Sequence, residues 1–201
     1  MSRRALLLAA ALLLPASALG QEGFVPMHRY GRTSQMVAAG WEASVPLPEL
    51  YERMQGDKSF TGAIVEARFG VARGVSIGAG VTWNRYETPT TIARPARFEA
   101  ISPRATIHYY PLSGIVQPYV GVGVGGVHRA YVVDFAGIEQ RGWGWAVDPQ
   151  LGLLVTVDQG LAINILARYQ ITNAWLTPDV PRRAQLENPS WVGLSVGVAL
   201  F

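Results

Sequence analysis

The sequence predicts an all-β fold: an eight-stranded antiparallel up-and-down transmembrane β-barrel, preceded by a cleaved signal peptide. Three observations predict it. Segments of about ten residues alternate apolar with small or polar side chains at period two, and turn signals separate them. The 201 residues include 22 Gly and 6 Trp but only 15% charged residues, a composition suited to a wall that faces lipid. The aromatic residues collect at segment ends, where amphipathic rings favour the headgroup level of a bilayer.

The N-terminus has the three-part layout of a secretory signal. Arg3 and Arg4 precede an apolar run from Ala5 to Leu14, and Pro15, Ala16, Ser17, Ala18 and Gly20 follow. The run is about half the roughly 20 residues a membrane helix needs. Cleavage is expected after Gly20, giving a signal peptide over 1–20 and one barrel domain over 21–201. No Cys is present, so neither a lipidated cysteine, a disulfide nor a thiolate metal site is possible. Loss of Arg3 and Arg4 leaves 15 of the 17 basic residues against 14 acidic ones, so no basic footprint for nucleic acid exists.

Each segment is justified by its own alternation. The first, Ser34 to Val45, places Val37, Ala39, Trp41, Ala43 and Val45 on one face and Ser34, Ala38, Gly40, Glu42 and Ser44 on the other. The second, Phe60 to Val71, sets Ala63, Val65, Ala67 and Phe69 against Gly62, Glu66, Arg68 and Gly70. Ala72, Arg73 and Gly74 turn the chain into the third, Val75 to Tyr86, where Ile77, Ala79, Val81 and Trp83 oppose Ser76, Gly78, Gly80, Thr82 and Asn84. In the fourth, Phe98 to Tyr110, Ala105, Ile107 and Tyr109 oppose Ser102, Arg104, Thr106, His108 and Tyr110. A short turn, Pro111 to Val116, leads into the fifth.

That fifth segment contains GVGVGG, from Gly121 to Gly126, a formal match to the dinucleotide-binding glycine pattern. The fingerprint has meaning only between a strand and a helix, and here Tyr119 to Gly125 alternates large and small with no helix after it. The G-x-x-x-G of Gly121 and Gly125 lacks the long apolar run of a membrane helix. Val120, Val122 and Val124 are therefore expected to face lipid. The glycines face a narrow lumen and make room for larger side chains across it.

The sixth segment, Trp143 to Val157, alternates Trp143, Trp145, Val147, Leu151, Leu153 and Val155 with Gly144, Asp148, Gln150, Gly152 and Thr156. Asp158, Gln159 and Gly160 reverse the chain into the seventh, Leu161 to Ile171, where Ile163, Ile165, Ala167 and Tyr169 oppose Asn164, Arg168 and Gln170. The eighth is Ser190 to Phe201. Connections after the even segments are short and those after the odd ones long, such as Pro46 to Ser59 and Thr172 to Pro189. In outer-membrane barrels short turns face the periplasm, so both termini are expected there. Trp41, Trp83, Trp143, Trp145, Tyr169 and Trp191 then form an outer membrane-interface girdle, and Phe69, Tyr109 and Phe201 an inner one. A soluble β-sandwich would bury one apolar face equally well but would not sort its tryptophans by strand end.

At this point the chain resembles the small eight-stranded outer-membrane barrels, the family that includes the barrel domain of outer membrane protein A and the OmpX proteins. The phrase QPYVGVGVG, Gln117 to Gly125, the repeated strand pattern, the signal peptide and the terminal Phe201 carry the resemblance over nearly all of the mature chain. It implies residence in a Gram-negative outer membrane, contact with lipopolysaccharide, a monomer, and recognition of the last strand by the barrel-assembly machinery through Phe201. The sequence stops at Phe201, so the peptidoglycan-binding domain of outer membrane protein A itself is expected to be missing. One feature departs from the family pattern: Ala199 and Gly197 share the parity of Phe201, while Leu194, Val196, Val198 and Leu200 lie on the other. A bulge near the end, or Phe201 outside the ladder, would reconcile the two.

The inward set contains Glu42, Glu66 and Asp148 as acids and Arg68, Arg104 and Arg168 as bases, with His108 beside them. In a narrow lumen such charges are expected to pair into a polar network. An Arg that exchanged carboxylates would instead make a gate. The expected role is structural or surface-interacting, adhesin-like, with a narrow gated ion pore as the first alternative and a lipid A-modifying enzyme as the second. His28, His108 and His128 are scattered and none has a neighbouring Ser, so no catalytic, cofactor or metal residues are expected, and no cofactor. In the outer loops, Trp175 and Leu176 beside Arg182 and Arg183 offer an apolar pair and two cations, whereas Leu50, Tyr51 and Met54 are less distinctive.

Overall fold

The computed structural model describes residues 35–47, 60–87, 96–112, 114–133, 138–158, 160–174 and 190–201. The signal peptide, His28 and the loop residues singled out above lie outside them. Eight strands run in chain order: β1 Gln35–Pro46, β2 Phe60–Ala72, β3 Val75–Glu87, β4 Ala96–Tyr109, β5 Val116–Val133, β6 Ile138–Asp158, β7 Leu161–Ala174 and β8 Trp191–Leu200. Each pairs antiparallel with its neighbours, and β8 pairs with β1 to close the barrel. Closure leaves no open sheet edge around the wall, which is what a sheet in hydrocarbon requires.

The sequence periodicity sets which way each residue faces. Trp41, Val81, Ile107, Val122, Leu151, Ile163 and Val196 are exposed on the outside, while their alternate neighbours are buried in the lumen. Two short turns use glycines in the left-handed region, Gly74 at φ 72° and Gly160 at φ 97°, where an L side chain would be strained. Both adjoin register shifts, at Gly70/Ala72 and Thr156/Asp158, so the wall bends at its turn end. The Tyr110 N–H donates to the Gly74 carbonyl at 2.7 Å and the Phe201 N–H to the Gly160 carbonyl at 3.1 Å, tying neighbouring turns together.

Three expectations are corrected. The sixth segment does not begin at Trp143: its pairing with the fifth continues to Val133↔Ile138, making strands of 18 and 21 residues. About ten residues suffice to cross a bilayer, so this hairpin rises well beyond it. The ladder runs without a break through Gly126, opposite Trp145, and Gly142, opposite Arg129. The charged Glu139 and Arg141, ion-paired at 2.5 Å and exposed, suit the watery end.

Trp191 does not belong to the outer girdle. It points into the lumen, 1% exposed, on the parity of Gly193 and Ser195. Phe201 likewise leaves the inner girdle: β8 keeps an unbroken register to Leu200, and Phe201 follows it outside the ladder, packing against the lumen cluster. The remaining girdle residues face outwards: Trp41, Trp143, Trp145, Tyr169, Phe69 and Tyr109 are exposed, and Trp83 is partly so. Trp41 and Trp83 are held by their indole N–H groups, donating to Thr61 Oγ1 at 2.7 Å and Glu99 Oε1 at 2.5 Å.

Candidate functional site: the lumen

The lumen is filled by two apolar clusters and a polar network. Towards the turn end, Met36, Tyr110, Tyr119, Leu154 and Leu166 form an apolar floor, with Phe201 packed against it and Ile64 joining it from mid-barrel. At the loop end, Tyr86, Phe98, Val127 and Trp191 form a roof, with Phe98 and Trp191 edge to face at 6.4 Å. Such aromatic pairs contribute about 0.5 to 1.5 kcal/mol beyond their burial. All seven polar residues expected to form a network are buried with these clusters, every one 5% exposed or less; Glu66 and Arg68 lie level in the ladder with Ala38 and Met36 of the floor cluster.

They divide into three linked groups. In the first, Arg168 Nε donates to Glu42 Oε2 at 2.8 Å and Nη2 to Oε1 at 2.6 Å, a two-pronged pair that joins β7 to β1. Asn84 Nδ2 and Ser44 Oγ each donate to Glu42 Oε1 at 2.8 Å. Arg168 Nη1 donates to Gln170 Oε1, and Gln170 Nε2 to Ser102 Oγ at 2.9 Å. Six side chains from four strands are thereby joined.

In the second group Arg68 Nη2 donates to Glu66 Oε2 at 3.1 Å, and the guanidinium also donates to the Tyr110 hydroxyl at 2.9 Å and the Tyr119 hydroxyl at 3.2 Å. Its Cζ lies 4.6 Å from the centroid of the Tyr119 ring, within range of a cation–π attraction. Tyr119 in turn donates to Asn164 Oδ1 at 2.8 Å, and Thr106 Oγ1 donates to Glu66 Oε1 at 2.5 Å. The floor's tyrosines are thus also members of the network.

The third group is looser. Arg104 Nη1 approaches Asp148 Oδ2 at 2.9 Å, an ion-pair distance, yet no nitrogen of Arg104 makes an aligned hydrogen bond. The charges attract without a directed N–H···O contact, so Arg104 is paired by Coulomb energy alone. Gln150 holds the rest together, donating through Nε2 to Asp148 Oδ2 at 2.8 Å and meeting His108 Nε2 through Oε1 at 2.7 Å.

The inward glycines provide the space for these side chains. A Cβ on Gly123 would lie 2.8 Å from Asp148 Oδ2, one on Gly193 2.8 Å from Glu42 Oε1, and one on Gly152 would enter the Tyr119 ring. Glycine is a packing requirement of the network. A cavity of about 10 Å³, the room of one water, remains between Glu66, Asn164 and Ser195. Among the described residues no three His, Asp or Glu side chains converge as metal ligands do.

Comparison with solved structures places this architecture. Neisserial surface protein A matches with a TM-score of 0.60 at 16% identity, over 84% of this chain and 98% of that one. By fold, the chain is an eight-stranded antiparallel β-barrel like those of small outer-membrane proteins. OprG, an outer membrane protein of Pseudomonas aeruginosa, matches with a TM-score of 0.58 at 14% identity, over 88% of this barrel and 98% of its own chain. Ail, the attachment invasion locus protein of Yersinia pestis, in complex with the heparin analogue sucrose octasulfate, matches with a TM-score of 0.56 at 12% identity, over 83% and 96%. No protein-family model and no curated relative matches the sequence.

Tyr110, Tyr119, Asn84, Asn164, Gln150 and Gln170 share the network with the charged residues, and the roof was not foreseen. The signal for both was parity: Tyr119 and Val127 share the parity of Gly121 to Gly125, and Trp191 that of Gly193.

Proposed function

We propose that this barrel is closed to ions and serves a structural or surface-interaction role, holding its outer end rigidly at the cell surface. The observation that carries the reading is the threefold blockage of the lumen. Passage of an ion would require parting the roof of Phe98 and Trp191, the ion pairs of the network, and the floor of Tyr110, Tyr119 and Leu154. Breaking one buried ion pair costs about 3 to 5 kcal/mol, so a spontaneous simultaneous opening is rare. The names of two similar proteins, a surface protein and an attachment invasion protein, support an outward-facing role.

A narrow gated pore is the second reading. Arg104 favours it, because a guanidinium without aligned bonds exchanges carboxylates more easily than Arg168 does. Planar-bilayer recording of the wild-type protein separates the two. A closed barrel stays silent; frequent openings of a single size would overturn the reading.

We infer further that the chain is not an enzyme and is monomeric. His108 is enclosed in the network, out of reach of a substrate, and His128 lies half-buried against Trp143, ring centroids 5.0 Å apart. Outer-membrane lipid and lipopolysaccharide are its proposed surroundings. The assembly machinery is proposed to read β8, whose lipid-facing stripe here is Leu194, Val196, Val198 and Leu200.

A further inference from the structure

Among the described residues, the lumen holds one more cation than its acids answer. Glu42 is paired with Arg168, Glu66 with Arg68 and Asp148 with Arg104. Arg129 is the fourth inward arginine, 5% exposed at the loop end of β5, two residues beyond the roof's Val127. Its neighbours in the ladder, Ala100 on β4 and Gly142 on β6, have no polar side chains. Its hydrogen bond runs from Nη1 to Thr172 Oγ1 at 3.5 Å, the outer limit of such a contact, and Nη2 has no partner. A buried lysine could shed its proton; an arginine stays charged. The remaining way to neutralise it is a counter-anion.

We propose that Arg129 forms an oxyanion site at the outer end of the lumen, taking a phosphate group. The guanidinium fork matches two oxygens of such a group. Nη2 is enclosed, so the side chain must swing on its flexible stem to meet the anion, releasing only the stretched bond to Thr172. The phosphate comes either from solution or from a lipid headgroup of the outer leaflet. The inference does not depend on the closed-barrel reading: a conducting wild type with an Arg129-dependent phosphate response would overturn that reading alone.

The test is urea unfolding of the full barrel in dodecylmaltoside micelles, with chloride exchanged for inorganic phosphate at constant ionic strength, and in a parallel series with lipid A added to the micelles. Above the dissociation constant, each tenfold increase in phosphate should multiply the wild-type folding constant about tenfold. Arg129→Met should be more stable than wild type without phosphate and should not respond to it. Arg129→Lys, which keeps the charge but loses the fork, should respond at higher concentration. A response to lipid A alone, lost in Arg129→Met, assigns the phosphate to a headgroup; a response to both probes assigns it to either source. Equal responses in wild type and Arg129→Met, or no wild-type response to either probe, overturn the site. If Arg129→Met does not fold, the Arg129 side-chain nitrogen resonances of the wild type decide: a shift on adding phosphate supports the site and an unchanged spectrum overturns it.

Discussion

Arg168→Met removes the most heavily bonded cation of the lumen and keeps a similar volume. Arg168 supplies two charge-assisted bonds to Glu42 and further bonds to Asn84 Oδ1 at 3.2 Å and to Gln170. Without it the Glu42 carboxylate keeps only the neutral donors Asn84 and Ser44, at 0% exposure. Leaving a buried charge without its partner costs about 3 to 5 kcal/mol, or roughly two to three and a half decades in the folding constant. Glu42→Gln should lose a similar amount, since an amide N–H₂ then confronts the donors of Arg168. The double variant Glu42→Gln, Arg168→Met leaves no unpaired charge and should recover about 0.5 to 3 kcal/mol relative to the sum of the single losses. Equilibrium urea unfolding followed by tryptophan fluorescence measures all three. Water entering the lumen would solvate the orphaned carboxylate and shrink the loss. A loss below about 1 kcal/mol for Arg168→Met, or strict additivity in the double variant, would therefore refute a dry, packed network.

The glycine argument makes a paired prediction. Gly152→Ala drives a methyl into the Tyr119 ring and should cost about 1 to 3 kcal/mol, whereas Gly126→Ala meets nothing nearer than Trp143 Cζ3 at 3.6 Å and should be neutral or gain up to about 1 kcal/mol; equal losses in urea unfolding would contradict the packing account. Val122→Arg, on the lipid face, should lower stability in vesicles by about 2 to 4 kcal/mol, and a loss below about 0.5 kcal/mol would mean that this face does not meet the hydrocarbon.

The sequence by itself determined the barrel, its strand order and the direction of nearly every side chain, because in a β-strand direction follows parity. One buried polar residue such as Glu42 or Asp148 orients its whole strand, and the apolar alternates must then meet lipid. Parity also held the answer for Trp191, which the clustering of tryptophans at strand ends obscured: the glycines and Ser195 of β8 were the better guide. Phe201 could not be settled in this way, since the regular ladder ends one residue before it.

Only the tertiary structure decided who meets whom across the lumen. Glu42 and Arg168 are 126 residues apart in the chain, and their pairing depends on ring closure and on the stagger of β8 between β1 and β7. Parity states that a side chain points inward but not at what height or towards which partner. Height follows from strand tilt and register summed around the whole ring, a quantity that no single segment carries. The same sum separates the cations: it brings Arg68, Arg104 and Arg168 to carboxylates and leaves Arg129 at the loop end with a stretched contact to Thr172.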